Sequence, residues 1–91
     1  MPLVPFDQLL GTARARGYGV GYFEAWDSYS LDAVLEAAEA ERAPVILGFG
    51  AMMVDGGWLD AGGVEAWGAL GAAAARRSRV PVSLLFNEAQ T

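Results

Sequence analysis

The 91-residue chain contains no cysteine, no histidine and no lysine. Without cysteine there is no disulfide framework, no thiolate zinc site and no cysteine nucleophile. Without histidine the chain by itself builds neither a Ser-His-Asp triad nor a His-rich metal site, and it has no imidazole to act as a base. Six arginines stand against eleven acids, a formal net charge of −5. That balance argues against nucleic acid, which wants a basic stripe, and against anionic membrane surfaces. No apolar run approaches the ~18–20 residues of a membrane span. The opening Met1-Pro2-Leu3-Val4-Pro5-Phe6-Asp7 has neither the basic nor the long apolar segment of a signal peptide. The expectation is a cytoplasmic protein that binds neither nucleic acid nor membrane.

What is present is small and apolar. The chain is 54% hydrophobic and 19% charged, too apolar for a disordered tail. Seventeen alanines and twelve glycines mean that much of that apolar content is small side chain. The length suffices for one small domain or for part of a larger one.

Phe6, Leu9, Leu10 and Ala13 fall at helical spacing, with Asp7 early, Arg14 and Arg16 late and Gly17 beyond. This predicts a helix over 5–16. Tyr18 to Phe23 is aromatic and uncharged and predicts a strand near 19–23. Leu31, Val34, Leu35 and Ala38 recur at i, i+3, i+4 and i+7, the clearest helical stripe, capped by Ser28 or Ser30 and ended by Pro44. Val45-Ile46-Leu47-Gly48-Phe49 predicts a strand over 45–49, covered on both faces. Asp55-Gly56-Gly57 and Gly62-Gly63 predict a loop over 51–62 with at most one helical turn around Trp58 and Leu59. Val64 to Arg77 predicts a helix with Val64, Trp67, Leu70 and Ala74 on its stripe, and residues 82–86 predict a third strand. Gly68 and Gly71 suit that helix only if their face packs closely on a neighbour. Alternation of helix and strand implies right-handed crossovers and a parallel sheet. Three strands are few for a finished sheet, so the order suggests the opening of a larger fold.

In parallel α/β folds, ligands bind beyond the carboxyl ends of the strands. That rule selects Glu24 to Asp27, Gly48 to Met53, and Asn87-Glu88. Glu24 suits a general base or a metal ligand and equally a structural role. Asp27 suits the same two chemical roles, and an acid at the helix N-terminus near Ser28 is its favoured reading. Gly48-Phe49-Gly50 is a tight turn at a strand end rather than a dinucleotide loop, since Met53 stands where a third glycine belongs. Trp67 reads as core. Trp26, Trp58, Met52 and Met53 read as core cover rather than pocket wall. The arginine pairs Arg14/Arg16 and Arg76/Arg77 read as helix-dipole partners rather than phosphate ligands.

Five stretches, taken in order, carry a resemblance: Met1-Pro2-Leu3-Val4; Gly17-Tyr18-Gly19-Val20-Gly21-Tyr22-Phe23; Ala37-Ala38-Glu39; Ala43-Pro44-Val45-Ile46-Leu47-Gly48; and Val80-Pro81-Val82-Ser83-Leu84. Together they resemble the start of the class II, metal-dependent fructose-/tagatose-bisphosphate aldolases. The resemblance implies an α/β fold, a partial (β/α)8 barrel of about the first three βα units with a short helix covering its bottom. It makes residues 1–91 a single N-terminal unit of such a barrel. It further implies a zinc-dependent lyase of carbohydrate metabolism and glycolysis, cleaving a ketose bisphosphate, with zinc polarising the ketone.

In that family the third strand ends in His-Leu-Asp-His, whereas this chain has Leu85-Phe86-Asn87-Glu88. By resemblance Asn87 takes the acid/base position, where an amide cannot exchange a proton. Glu88 takes the zinc-ligand position, where a carboxylate favours a harder divalent ion. The family's Phe-Asn after strand one is Phe23-Glu24 here. Three expectations follow: an aldolase-family lyase represented by its N-terminal part; a divergent metal-dependent enzyme using Glu24 and Glu88 on another sugar or keto compound; or a non-catalytic relative. The 91 residues alone are expected to be inactive. They are expected to self-associate or to join the remainder of a barrel, since an open arc leaves strand edges and an apolar face uncovered.

Overall fold

A computed structural model describes residues 3–50 and 55–87. The chain runs α1 (Phe6–Arg16), β1 (Gly21–Glu24), α2 (Ser28–Ala40), β2 (Val45–Gly50), a three-residue α3 (Gly56–Trp58) leading into a π-helical turn (Leu59–Gly63), α4 (Val64–Arg77) and β3 (Val82–Asn87). The three strands form one parallel sheet in chain order β1-β2-β3, as the alternation predicts.

β2 is the centre of the molecule. All six of its residues are buried, and it pairs with β1 from Gly21↔Val45 to Glu24↔Gly48 and with β3 from Val45↔Val82 to Gly50↔Asn87. Its period-2 alternation sends Val45, Leu47 and Phe49 toward the helices, where they join Leu31, Leu35, Ala38, Ala74, Ala75, Val80 and Val82 in one core. The other face presents Ile46, Gly48 and Gly50, flanked by Tyr22 and Glu24 of β1 and by Ser83, Leu85 and Asn87 of β3.

The amino-terminal segment closes the lower end of that second face. Leu3 bridges to Val82, the Val4 amide donates to the Val82 carbonyl at 2.9 Å, and Ser83 Oγ donates to the Val4 carbonyl at 2.8 Å. Leu9 and Ala13 of α1 are buried, and Gly17 ends the helix in the left-handed region at φ 76°. The Glu39 carboxylate accepts from the Arg79 amide at 2.8 Å, tying α2 to the turn before β3.

Three sequence expectations need correction. The first strand spans 21–24 rather than 19–23: its ladder starts at the Gly21↔Val45 pair and carries Glu24 into register. Residues 56–63 are helical rather than loop, because the Asp55 carboxylate accepts from the Trp58 amide at 3.2 Å and starts the turn, while Gly62 at φ 105° kinks it into α4. The buried stripe of α4 is Gly71, Ala74 and Ala75 with Trp67, not Val64 and Leu70, which stay exposed. Gly71 rotates the helix this way. A Cβ there would stand 3.0 Å from the Phe49 ring and 3.3 Å from a Leu84 methyl, so a bare backbone lets α4 approach the sheet closely. Trp67 then stacks on Phe49 at 4.9 Å between ring centroids, with Trp58 edge-on at 5.4 Å and Phe86 at 6.2 Å.

The two glycines of α4 therefore differ. Nothing lies within 4 Å of a Cβ at Gly68. Gly68→Ala is expected to stabilise the fold by about 1 kcal/mol through helix propensity. Gly71→Val is expected to cost about 1–3 kcal/mol by overpacking Phe49 and Leu84. Urea unfolding of the two variants checks both signs.

Candidate functional site

The carboxyl ends of the three strands lie side by side, as parallel order requires. β1 ends in Glu24, β2 in Gly50 and β3 in Asn87. Gly50 and Asn87 are strand partners, so their Cα atoms face each other on one edge of the sheet. Glu24 leans along its strand toward the same point: a Cβ built on Gly50 would stand 2.6 to 2.8 Å from the three carboxylate atoms of Glu24. Glu24 and Asn87 thus share one face and flank Gly50, and both are half-buried.

Tyr22 lies one pleat below Glu24 on the same face and donates its phenol hydroxyl to Glu24 Oε1 at 3.0 Å. Its ring occupies the space above Gly48, where a Cβ would come within 2.1 Å of Cε1. The two glycines of Gly48-Phe49-Gly50 are explained by these two side chains. They do not turn the chain as the sequence suggests: both lie within β2, in register with β3, and what approaches them is side chain from β1.

Asp27 is structural, as favoured from the sequence, but as the N-cap of α2 rather than as an acid beside a serine cap. Its Oδ1 accepts from the Ser30 amide at 2.7 Å and from Ser30 Oγ at 2.8 Å, while Ser30 Oγ accepts from the Asp27 amide at 3.0 Å and the Trp26 amide at 2.9 Å. This reciprocal box opens α2 in place of the Ser28 or Ser30 cap expected. Hydrogen bonds from the Ser30 backbone and side chain, with a lesser one from the Tyr29 backbone, hold the Asp27 carboxyl below its usual value of 3.8. Trp26 does not cover the core: it is 58% exposed, just outside the box, and Trp58 is exposed although it touches Trp67. Arg14, Arg16, Arg76 and Arg77 occupy the last turns of α1 and α4, the dipole positions expected of them. Met52, Met53 and Glu88 lie outside the described residues.

Zinc does not suit the donors found here. The described part of the rim offers one carboxylate, already accepting from a phenol, and one neutral amide. Among the described residues no group of three His, Cys, Asp or Glu is placed to hold a metal ion. Tyr22 is the site residue that sequence reasoning missed. The signal was available as alternation, since Tyr22 and Glu24 face Gly48 and Gly50 two by two across a parallel pair.

A family model described as "Fructose-bisphosphate aldolase class-II" matches residues 4–87. A probable fructose-bisphosphate aldolase of Bacillus subtilis is 48% identical over 48 residues, 53% of this chain and 17% of that protein. Fructose-bisphosphate aldolases of Staphylococcus aureus and Staphylococcus epidermidis are 44% identical over 48 residues, with the same shares covered. The crystal structure of the YdjI aldolase from Escherichia coli superposes with a TM-score of 0.76 at 24% identity, over 98% of this chain and 32% of that one. That likeness confirms the fold as an arc of a barrel of this kind. The aligned stretch spans less than a fifth of the curated relatives it matches, and the chain about a third of the solved aldolase.

The Asp27 box yields a pH-dependent expectation. A carboxyl held below its usual value adds stability above pH 3.8, and that contribution is lost as the pH falls through the folded-state value. Asp27→Ala is expected to lower the melting temperature by a few degrees at pH 7. The gap from the unsubstituted chain is expected to narrow below about pH 4. Thermal melts of both proteins between pH 2.5 and pH 7 check this.

Proposed function

Because the chain belongs to the class II fructose-bisphosphate aldolase family, we propose that residues 1–91 supply the N-terminal βα units of an aldolase-type barrel and one wall of its active site. The reaction class is the making or breaking of a carbon–carbon bond beside the carbonyl of a hydroxylated ketone, with a sugar phosphate as substrate, in the carbohydrate metabolism of the cytoplasm. One observation supports the reading: Glu24 reaches over Gly50, whose strand partner is Asn87, so a carboxylate and an amide lie on one face at the carboxyl end of the sheet.

Cleavage of an aldol needs a group that takes the hydroxyl proton and a group that favours the oxygen on which charge develops. An ionised carboxylate does the first, so Glu24 is assigned as the proton acceptor. Asn87 stands at the position the family gives to its acid/base residue. Its amide can donate to a substrate oxygen but takes no proton, so its role is orientation. In the family, the metal supplies Lewis-acid polarisation of the ketone; the donors described on this wall do not fit it, and no step is assigned to it here. The exchange of an acid/base group for an amide, together with a carboxylate at the end of β1, favours a sugar or keto compound other than the family's ketose bisphosphate.

The wall is open on its outer side. An apolar groove of about 550 Å³ runs between β1 and α2, lined by Gly21, Phe23, Ala33, Val34, Ala37 and Pro44 among others. Phe23 is 55% exposed. β1 pairs on one side alone among the described residues. In the 91-residue chain produced alone, a second copy is the occupant at hand for this groove and edge.

Two measurements test these readings. The purified 91-residue chain, given fructose 1,6-bisphosphate and Zn²⁺, is expected to show no turnover; cleavage at rates typical of enzymes, about 1 per second or more, would overturn the assignment of this chain as one wall of a site. Sedimentation is expected to find dimers or larger species, and a stable monomer would remove self-association.

A further inference from the structure

The face of β2 turned away from the helices has a chemistry of its own. Gly48 and Gly50 lack the Cβ atoms that would collide with the Tyr22 ring and the Glu24 carboxylate, at 2.1 Å and 2.6 Å respectively. Both glycines are fully enclosed in the central strand, where glycine weakens a sheet by about 0.5–1 kcal/mol relative to alanine. A sheet that carries two such residues on one face, opposite the two side chains that fill their space, is shaped around those side chains.

On that face the two oxygens of Glu24 are not equivalent. Oε1 accepts from the Tyr22 hydroxyl at 3.0 Å. Oε2 makes no hydrogen bond with a described residue and stands 2.6 Å from a Cβ built on Gly50, against 2.8 Å for Oε1. The described side chains of this face are Tyr22, Glu24, Ile46, Ser83, Leu85 and Asn87, with no cation among them. A hydroxyl donor is a group that Glu24 Oε2 can hold. A phosphate oxygen would meet an uncompensated carboxylate.

We propose that Tyr22 is a positioning residue, which through its hydrogen bond to Oε1 holds Glu24 over Gly50 so that Oε2 accepts from a hydroxyl of a polyhydroxylated carbonyl compound. This rests on the assignment of Glu24 to the substrate-facing wall. Tyr22 touches no substrate. It removes the rotamer freedom of Glu24 and leaves the second oxygen for the ligand.

The test uses the full chain labelled with ¹³C in glutamate, with the Glu24 carboxyl resonance as readout and dihydroxyacetone and inorganic phosphate as probes. Dihydroxyacetone is expected to shift that resonance saturably, and phosphate to leave it in place. In Tyr22→Phe the resonance of the unliganded chain is expected to move, and the apparent affinity for dihydroxyacetone to fall about three- to tenfold, the loss of one hydrogen bond. The melting temperature is expected to stay within a few degrees, because the ring still fills the space over Gly48. Gly50→Ala, which crowds the carboxylate and leaves Tyr22 alone, is expected to weaken binding as well. A Tyr22→Phe chain with unchanged resonance and affinity overturns the positioning role while leaving Glu24 in place. Unchanged affinity in Glu24→Gln overturns the assignment of Glu24 itself. The absence of any saturable shift in the unsubstituted chain, or an equal response to phosphate, overturns the proposal too.

Discussion

The structure depends on one strand being buried on both faces while serving two different purposes. β2 pairs with a neighbour on each side and loses all of its exposure. Toward the helices it presents Val45, Leu47 and Phe49, large groups that fill the core. Toward the other face its last residues are Gly48 and Gly50, which present no side chain at all. The first set drives the packing of α2 and α4 through removal of apolar surface from water. The second leaves room for the Tyr22 ring and the Glu24 carboxylate at the end of the sheet where ligands of parallel α/β folds bind. The core and the site are thus opposite sides of the same six residues. The polar groups of the site are carried by the flanking strands.

That division accounts for the chemistry of the wall. The neighbours contribute a phenol, a carboxylate and an amide, all of them groups that deal in hydroxyls and carbonyl oxygens rather than in phosphates. The lower end of the same face is closed by backbone and hydroxyl bonds from the amino-terminal segment to Val82 and Ser83. Only the carboxyl end therefore remains available. On the helix side, Gly71 brings α4 down onto Phe49 and Leu84, and Trp67 fills the space beside it. This fixes β2 and β3 against each other directly beneath Gly50 and Asn87.

Much of this was legible in the sequence because it rests on periodicity. The α2 stripe, the Gly17 stop, the apolar runs of β2 and β3 and the parallel order were all there to be read. Elements whose cause is tertiary were not. Nothing local separates Gly71, which meets a ring, from Gly68, which meets open space. A Gly-Gly pair reads as loop, and only the Asp55 bond to the Trp58 amide and the docking of Trp58 on Trp67 make 56–63 helical. Trp26 was misjudged because an aromatic residue beside a strand says nothing about which side it takes. The strand-end rule points to Glu24 and Asn87, which do end β1 and β3, whereas the place of Tyr22 depends on what the adjacent strand lacks.

Among the described residues each strand of this sheet pairs with the next one in the chain. Each of those pairings closes one crossover, whereas the bond from Ser83 to Val4 spans 79 positions and carries the larger closure entropy. On a ribosome, β2 would find β1 as soon as α2 had emerged, and β3 would find β2 after α4. The amino-terminal segment at Leu3 and Val4, made first, gains its partners only when Val82 and Ser83 arrive to close the arc.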